Sequence, residues 1–153
     1  MTRLQSRWAW GLMVVYAGAL LAAAQPKDPP KTVDLQVWSI RATTKNKDIS
    51  PELREIADKL KRESKFTGFK LEQRAAGTTK VGEAYATALP GGYKAKVTPQ
   101  KADDKRVTLA VEVLKGDKQQ VNATVTIKAR QFQLFGGLSL DGDDQLIVAV
   151  SGK

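Results

Sequence analysis

Three sets of side chains in this 153-residue chain have the types and spacing to do chemistry. The first is acidic. Asp141-Gly142-Asp143-Asp144 gathers carboxylates at a density that suits a hard, oxygen-coordinated cation such as Ca²⁺. The EF-hand spacing is not met, because no glutamate follows at the required offset and the flanks read as strands. Asp and Gly are also what a hairpin turn needs, and the turn is the reading taken here. The second set is Glu72, Glu83 and Glu112, candidates for the paired carboxylates of glycoside hydrolysis. Nothing in their spacing selects a pair, and each falls at an outward or rim phase of its strand. The third set is basic. If the apolar phase of the strands faces the core, then Lys94, Lys96, Arg106, Lys128 and Arg130 share the opposite face with Thr108, Thr124 and Thr126. Such a face suits charge-assisted hydrogen bonds to phosphate or carboxylate groups.

What the chain lacks narrows the chemistry further. It has no histidine and no cysteine. Without histidine the side chain best suited to proton transfer near neutral pH is missing. With cysteine missing as well, the usual zinc sites and the Ser-His-Asp and Cys-His nucleophile systems cannot be built. The sequence therefore assigns no catalytic residue, no metal ligand and no cofactor, and it reads as a non-enzyme. A carboxylate-only glycan hydrolase is the remaining catalytic class, and turnover lost on mutating a single acid would be its mark.

The elements that must position the basic set are mostly strands. Val33, Leu35 and Val37 alternate with polar residues, after which Trp38, Ile40 and Ala42 become the apolar set. That change of phase implies either a bulge or a strand buried on both faces. Ser50-Pro51 reads as a helix start, with Ser50 as cap and Pro51 at the first position, and the helix is expected to run to about Ser64. Leu53, Ile56, Ala57 and Leu60 give it one apolar stripe, and Glu55–Lys59 and Asp58–Arg62 are spaced as favourable pairs. Ala75 to Lys80 reads as a loop, and Glu83 to Leu89 as a small-residue strand. Val107–Val113 and Val121–Ala129 have the cleanest period of two, joined by a turn at Lys115-Gly116-Asp117-Lys118. Gln133–Leu140 and Gln145–Val150 form a last pair around the acidic turn, with Gly136-Gly137 as a kink. Thr126 to Val150 is loosely similar in rhythm to the C-terminal strands of outer-membrane secretins. The similarity spans about 25 residues, lacks the modules that flank such strands in that family, and is not taken as membership.

The expected fold class is α+β: one helix packed on a mainly antiparallel sheet of about 6–8 strands. The alternative is a β-sandwich with one decorating helix. The expected domains are a signal peptide at 1–24, a flexible Pro-rich leader at 25–32 and a single β-rich domain at 33–153. Arg3 and Arg7 precede an uncharged apolar run from Trp8 to Leu21, and Ala22-Ala23-Ala24 supplies the small residues of a cleavage site. Cleavage removes two arginines and no acid, lowering the net charge from +9 to +7. The expected product is periplasmic or secreted, with no transmembrane span in its mature part. Its expected role is a cell-envelope binding or assembly module whose basic sheet face takes an acidic protein surface or an anionic envelope polymer. Tyr93, Phe69 and Phe135 fall on the core side, leaving no aromatics on that face to stack bases, and nucleic acid is not the expected partner. The alternative role is a secreted inhibitor or accessory subunit that binds through the hairpin tip Leu89-Pro90-Gly91-Gly92.

Overall fold

A computed structural model describes residues 31–153; the expected signal peptide and residues 25–30 of the leader lie outside the described residues. Eight strands and one helix follow in the order β1 (Thr32–Thr43), α1 (Ala57–Glu63), β2 (Gly68–Lys80), β3 (Tyr85–Ala88), β4 (Tyr93–Ala102), β5 (Arg106–Lys115), β6 (Lys118–Lys128), β7 (Phe132–Ser139) and β8 (Gln145–Gly152). They form two four-stranded antiparallel sheets, β2-β1-β8-β7 (sheet A) and β3-β4-β5-β6 (sheet B). Val33, Leu35, Val37, Leu146, Val148 and Val150 of sheet A share one buried cluster with Ala95, Val97, Val107, Leu109, Val111 and Val113 of sheet B. The two sheets therefore face each other across a common core. The expected single sheet is corrected to the sandwich alternative. Both alternating apolar sets need a covering layer, and a helix of seven residues covers only part of one sheet.

That helix packs on the other face of sheet A. Leu53, Ile56, Leu60 and Phe66 join Trp38, Ile40, Ala42, Phe69, Phe132, Ile147 and Ala149 in a second buried cluster. The middle of sheet A is thus covered on both sides, which accounts for two features of the sequence. The change of phase along β1 comes from burial on both faces at its centre. The register shift lies in its partner β2, where Ser39 faces Gln73 and Ile40 faces Leu71, leaving Glu72 as the extra residue. The unbroken apolar run Leu146–Val150 follows for the same reason, because in β8 both faces are buried.

Three local expectations are corrected. The helix begins at Ala57, after a 3₁₀ turn at Pro51–Leu53, and Ser50 does not cap it. The Ser50 hydroxyl instead accepts the Leu71 N–H at 3.0 Å, and the Ser50 N–H donates to the Phe69 carbonyl at 2.9 Å. A serine that satisfies a sheet edge is no longer available to a helix end. The Glu55–Lys59 and Asp58–Arg62 pairs do not form as ion pairs; Lys59 Nζ donates to the Phe132 carbonyl at 2.7 Å, tying α1 to β7. Finally, Ala75–Lys80 is not a loop but the continuation of β2, paired with β1 as far as Thr32–Lys80. Gly77 permits close approach there: a Cβ at that position would clash with the Tyr85 ring.

The turns behave as their residues dictate. Gly116 (φ 62°) and Gly142 (φ 64°) adopt the left-handed backbone of the β5–β6 and β7–β8 hairpins. The expected kink at Gly136-Gly137 is a register shift in β7 between Phe135 and Leu138.

Candidate functional site

Strand register decides where the basic residues stand on sheet B. Lys94 is opposite Leu114, Lys96 opposite Glu112, and Arg106 opposite Lys128. The four cations do share the outer face of the sheet, and all are exposed. They do not form one patch. Glu112 and Arg106 lie six positions apart on β5, which separates the Lys96 row from the Arg106 row by about 20 Å. Between them the Thr98–Ala110–Thr124 row is uncharged, while the next row, Lys101–Thr108–Thr126, carries the exposed Lys101 beside the Arg106 end; the Thr108 and Thr126 hydroxyls hydrogen-bond there at 2.9 Å. Glu112, beside Lys96, accepts a hydrogen bond from Gln119. Arg130 is not on the sheet at all; it occupies the turn between β6 and β7.

The Arg106 end is the richer one. Arg106, Lys128 and Arg130 converge there with Lys31, Lys105 and Lys153 on an open cleft of about 1090 Å³. Long-range pairing brings Lys31 and Lys153 here, while Lys105 arrives as the sequence neighbour of Arg106. The start of β1 and the end of the chain are joined by Asp34 N–H to Lys153 carbonyl (2.8 Å) and Lys153 N–H to Asp34 carbonyl (3.0 Å). The Ala129 N–H donates to the Lys105 carbonyl at 2.9 Å, drawing the β4–β5 and β6–β7 turns together. Three acids, Asp34, Asp103 and Asp104, also line the cleft. Two of them are engaged locally: Asp34 accepts the Thr78 hydroxyl at 2.6 Å, and Asp103 accepts the N–H groups of Lys105 and Arg106 at 2.7 and 2.8 Å. Among the described residues none of the six cations forms an ion pair.

Arg130 carries a second signal. Its φ of 74° makes it the one non-glycine residue with positive φ among those described. Its N–H donates to the Gly152 carbonyl at 2.9 Å, and the Gln131 N–H closes the turn on the Lys128 carbonyl at 3.0 Å. A side chain in this backbone region costs on the order of 1 kcal/mol, which glycine would avoid. Arg130→Gly is accordingly expected to raise stability by about 1 kcal/mol, read as a shift of the urea midpoint, while weakening any binding of anions at the cleft. A destabilised variant would show that the arginine side chain holds the turn.

Two carboxyls are held below the ordinary carboxylate range. Backbone N–H groups of Lys105 and Arg106 lower Asp103. The Thr43 hydroxyl and the Arg41 guanidinium, the latter 3.1 Å away, lower Asp144. A depressed folded-state pKa contributes stability that is present above the unfolded value and lost as pH falls through the folded one. Unfolding midpoints are therefore expected to hold steady from neutral pH down to the usual carboxylate range of about 4 and to fall below it. Asp103→Asn and Asp144→Asn should each flatten that acid limb; an unchanged limb in both would contradict these assignments.

The other candidates are placed as follows. Glu72 is exposed and bonded to Arg41 at 2.9 Å, Glu83 lies in the β2–β3 turn, and Glu112 lies on the outer face of sheet B. No two of them face each other across a cleft lined by both. Asp141 and Asp143 point to solvent in the hairpin turn, while Asp144 turns to Arg41. At the β3–β4 tip, Leu89 is buried in the inter-sheet core, so that tip holds no exposed apolar anchor. Among the described residues no helix is long and apolar enough to cross a membrane.

The chain matches no protein-family model and no curated protein. Among solved structures it is similar to the type II secretion secretin XcpQ of Pseudomonas aeruginosa, determined by cryo-EM, at 11% identity and a TM-score of 0.38. The match covers 80% of this chain and spans 55% of the secretin chain. A likeness at that level carries no argument about function.

Proposed function

We propose that this chain is a non-catalytic binding or assembly module of the bacterial cell envelope, exported to the periplasm or beyond. In this reading it docks an acidic protein surface or an anionic envelope polymer in the cleft between the chain end and the β4–β5 and β6–β7 turns. The observation that supports it is the convergence on one cleft of six cations that form no ion pair among the described residues, with two of the three lining acids held in local hydrogen bonds. Individually such exposed charges contribute little. Converging from two turns, the start of β1 and the C-terminal residue, they add up to a field that attracts an extended anion and holds it by charge-assisted hydrogen bonds, with the two arginines able to grip carboxylate or phosphate oxygens in pairs. Among the described residues no aromatic side chain lines the cleft, which disfavours single-stranded nucleic acid as the ligand. Lys94 and Lys96 stand too far away to belong to this site.

The test is capture from the native envelope fraction with the chain from Gln25 onward, which contains every described residue. A partner held at low salt and released at high salt supports the reading, because screening weakens exposed charge contacts. A partner retained through high salt would overturn it in favour of apolar docking.

A further inference from the structure

Of the four sheet edges, three carry features that discourage another strand from adding. The edge of β2 is met by Asp48 and Ser50, which bond to Phe69 on its outer side. β3 is four residues long. β7 is broken by its Gly136-Gly137 bulge. β6 has its register shift near its start, where Gln120 is the extra residue, and pairs regularly with β5 from Val121 to Lys128. It is eleven residues long, without proline, and without charge between Lys118 and Lys128. Among the described residues nothing pairs with its outer side over Asn122–Thr126.

The register shows which groups that edge offers. The Ala129 N–H donates to Lys105 across the β5–β6 pair. Hydrogen-bonded positions of an antiparallel pair recur every second residue, so Ile127, Val125, Ala123 and Val121 bond inwards to β5. Asn122, Thr124 and Thr126 therefore present their N–H and C=O groups outwards. On the core side, Val121 and Val125 of β6 and Phe135 of β7 are only half buried. The sandwich is incompletely closed along this side.

We infer that the outer edge of β6 accepts an extended segment of a partner protein as a ninth strand, one with apolar residues at alternate positions and acidic residues near its ends. The main-chain groups of Asn122, Thr124 and Thr126 bond the added strand. Its alternate apolar side chains cover Val121, Val125 and Phe135. Its acidic ends meet Lys118 and Lys128, exposed at the two ends of β6. Charge complementarity also selects against a second copy of this chain. Antiparallel self-pairing centred on Ala123 would set Lys118 opposite Lys128 at both ends, between two chains that are each strongly basic. This inference does not rest on the basic cleft, although Lys128 borders both.

The probe is an eleven-residue peptide that alternates valine and threonine between aspartate pairs, titrated against the chain from Gln25 onward. It is expected to bind, and Thr124→Pro is expected to weaken it roughly tenfold or more, since proline removes an outward N–H without taking a bond from β5. Circular dichroism checks that this variant folds. The same peptide N-methylated at alternate positions makes the equivalent test from the other side and leaves the protein untouched; it is expected to lose binding to a similar degree. Equal binding by the proline variant or by the N-methylated peptide would overturn the inference. So would equal binding by a peptide with lysine ends, or a wild-type dimer that Thr124→Pro makes monomeric.

Discussion

Replacing Lys128 and Arg130 together by glutamate is expected to weaken binding of a polyanion such as polyglutamate by about a hundredfold or more at low salt. The two side chains are exposed neighbours on the rim of the cleft. The double change turns six cations facing three acids into four facing five, so the local field reverses sign. Folding is expected to survive. Neither side chain is buried, and glutamate at position 130 meets the same left-handed backbone that arginine already tolerates. Surface substitutions of this kind change stability by about 0.5 kcal/mol at most. Titration calorimetry at low and high salt reads the affinity, and urea unfolding checks the fold. An unchanged affinity would remove the cleft from the account.

Trp38→Ala is the second large effect, and it bears on the layer that holds the framework rigid. Trp38 is 5% exposed, its ring lies 4.5 Å from that of Phe132 at a tilt of 45°, and the Arg74 guanidinium sits 4.5 Å above it. Deleting the indole opens a cavity between sheet A and α1 and removes both ring contacts. The expected cost is about 3–5 kcal/mol, a large part of the roughly 5–15 kcal/mol that holds a domain of this size together. Arg74→Ala removes only the charge above the ring and is expected to cost about 0.5–1 kcal/mol. Urea denaturation followed by circular dichroism measures both. A loss below about 1 kcal/mol for Trp38→Ala would mean that the helix does not seal that face of the sheet.

The elements were legible in the sequence wherever a local rule acts without competition. The period of two in Val107–Val113 and Val121–Ala129 marks β5 and β6, and glycine and aspartate mark the two hairpin turns. Reading failed where a second contact claimed the same residue. Ser50 looks like a helix cap until its hydroxyl is claimed by the Leu71 N–H. Ala75–Lys80 looks like a loop because of its small residues and its glycine, yet it is paired strand in which Gly77 leaves room for the Tyr85 ring. Burial on both faces hid the division into two sheets, since β1 and β8 each serve two cores. The candidate site was half legible for a related reason. Strand phase tells which face a side chain takes, and it placed Lys94, Lys96, Arg106 and Lys128 on one face. Only register tells how far along the strands they stand. The approach of Lys31 and Lys153 depends on β1–β8 pairing across most of the chain, which no local pattern encodes, whereas Lys105 comes with its neighbour Arg106 in the β4–β5 turn.

The most direct test sets two charge reversals side by side: Lys94→Glu/Lys96→Glu and Lys128→Glu/Arg130→Glu, each titrated with polyglutamate at the same low salt. Both pairs change the net charge by the same amount and differ only in where they stand on the sandwich. The account predicts that the Lys128/Arg130 reversal weakens binding by about a hundredfold or more while the Lys94/Lys96 reversal keeps most of it. Equal losses would show that overall charge, and not the cleft, attracts the anion, and would contradict it.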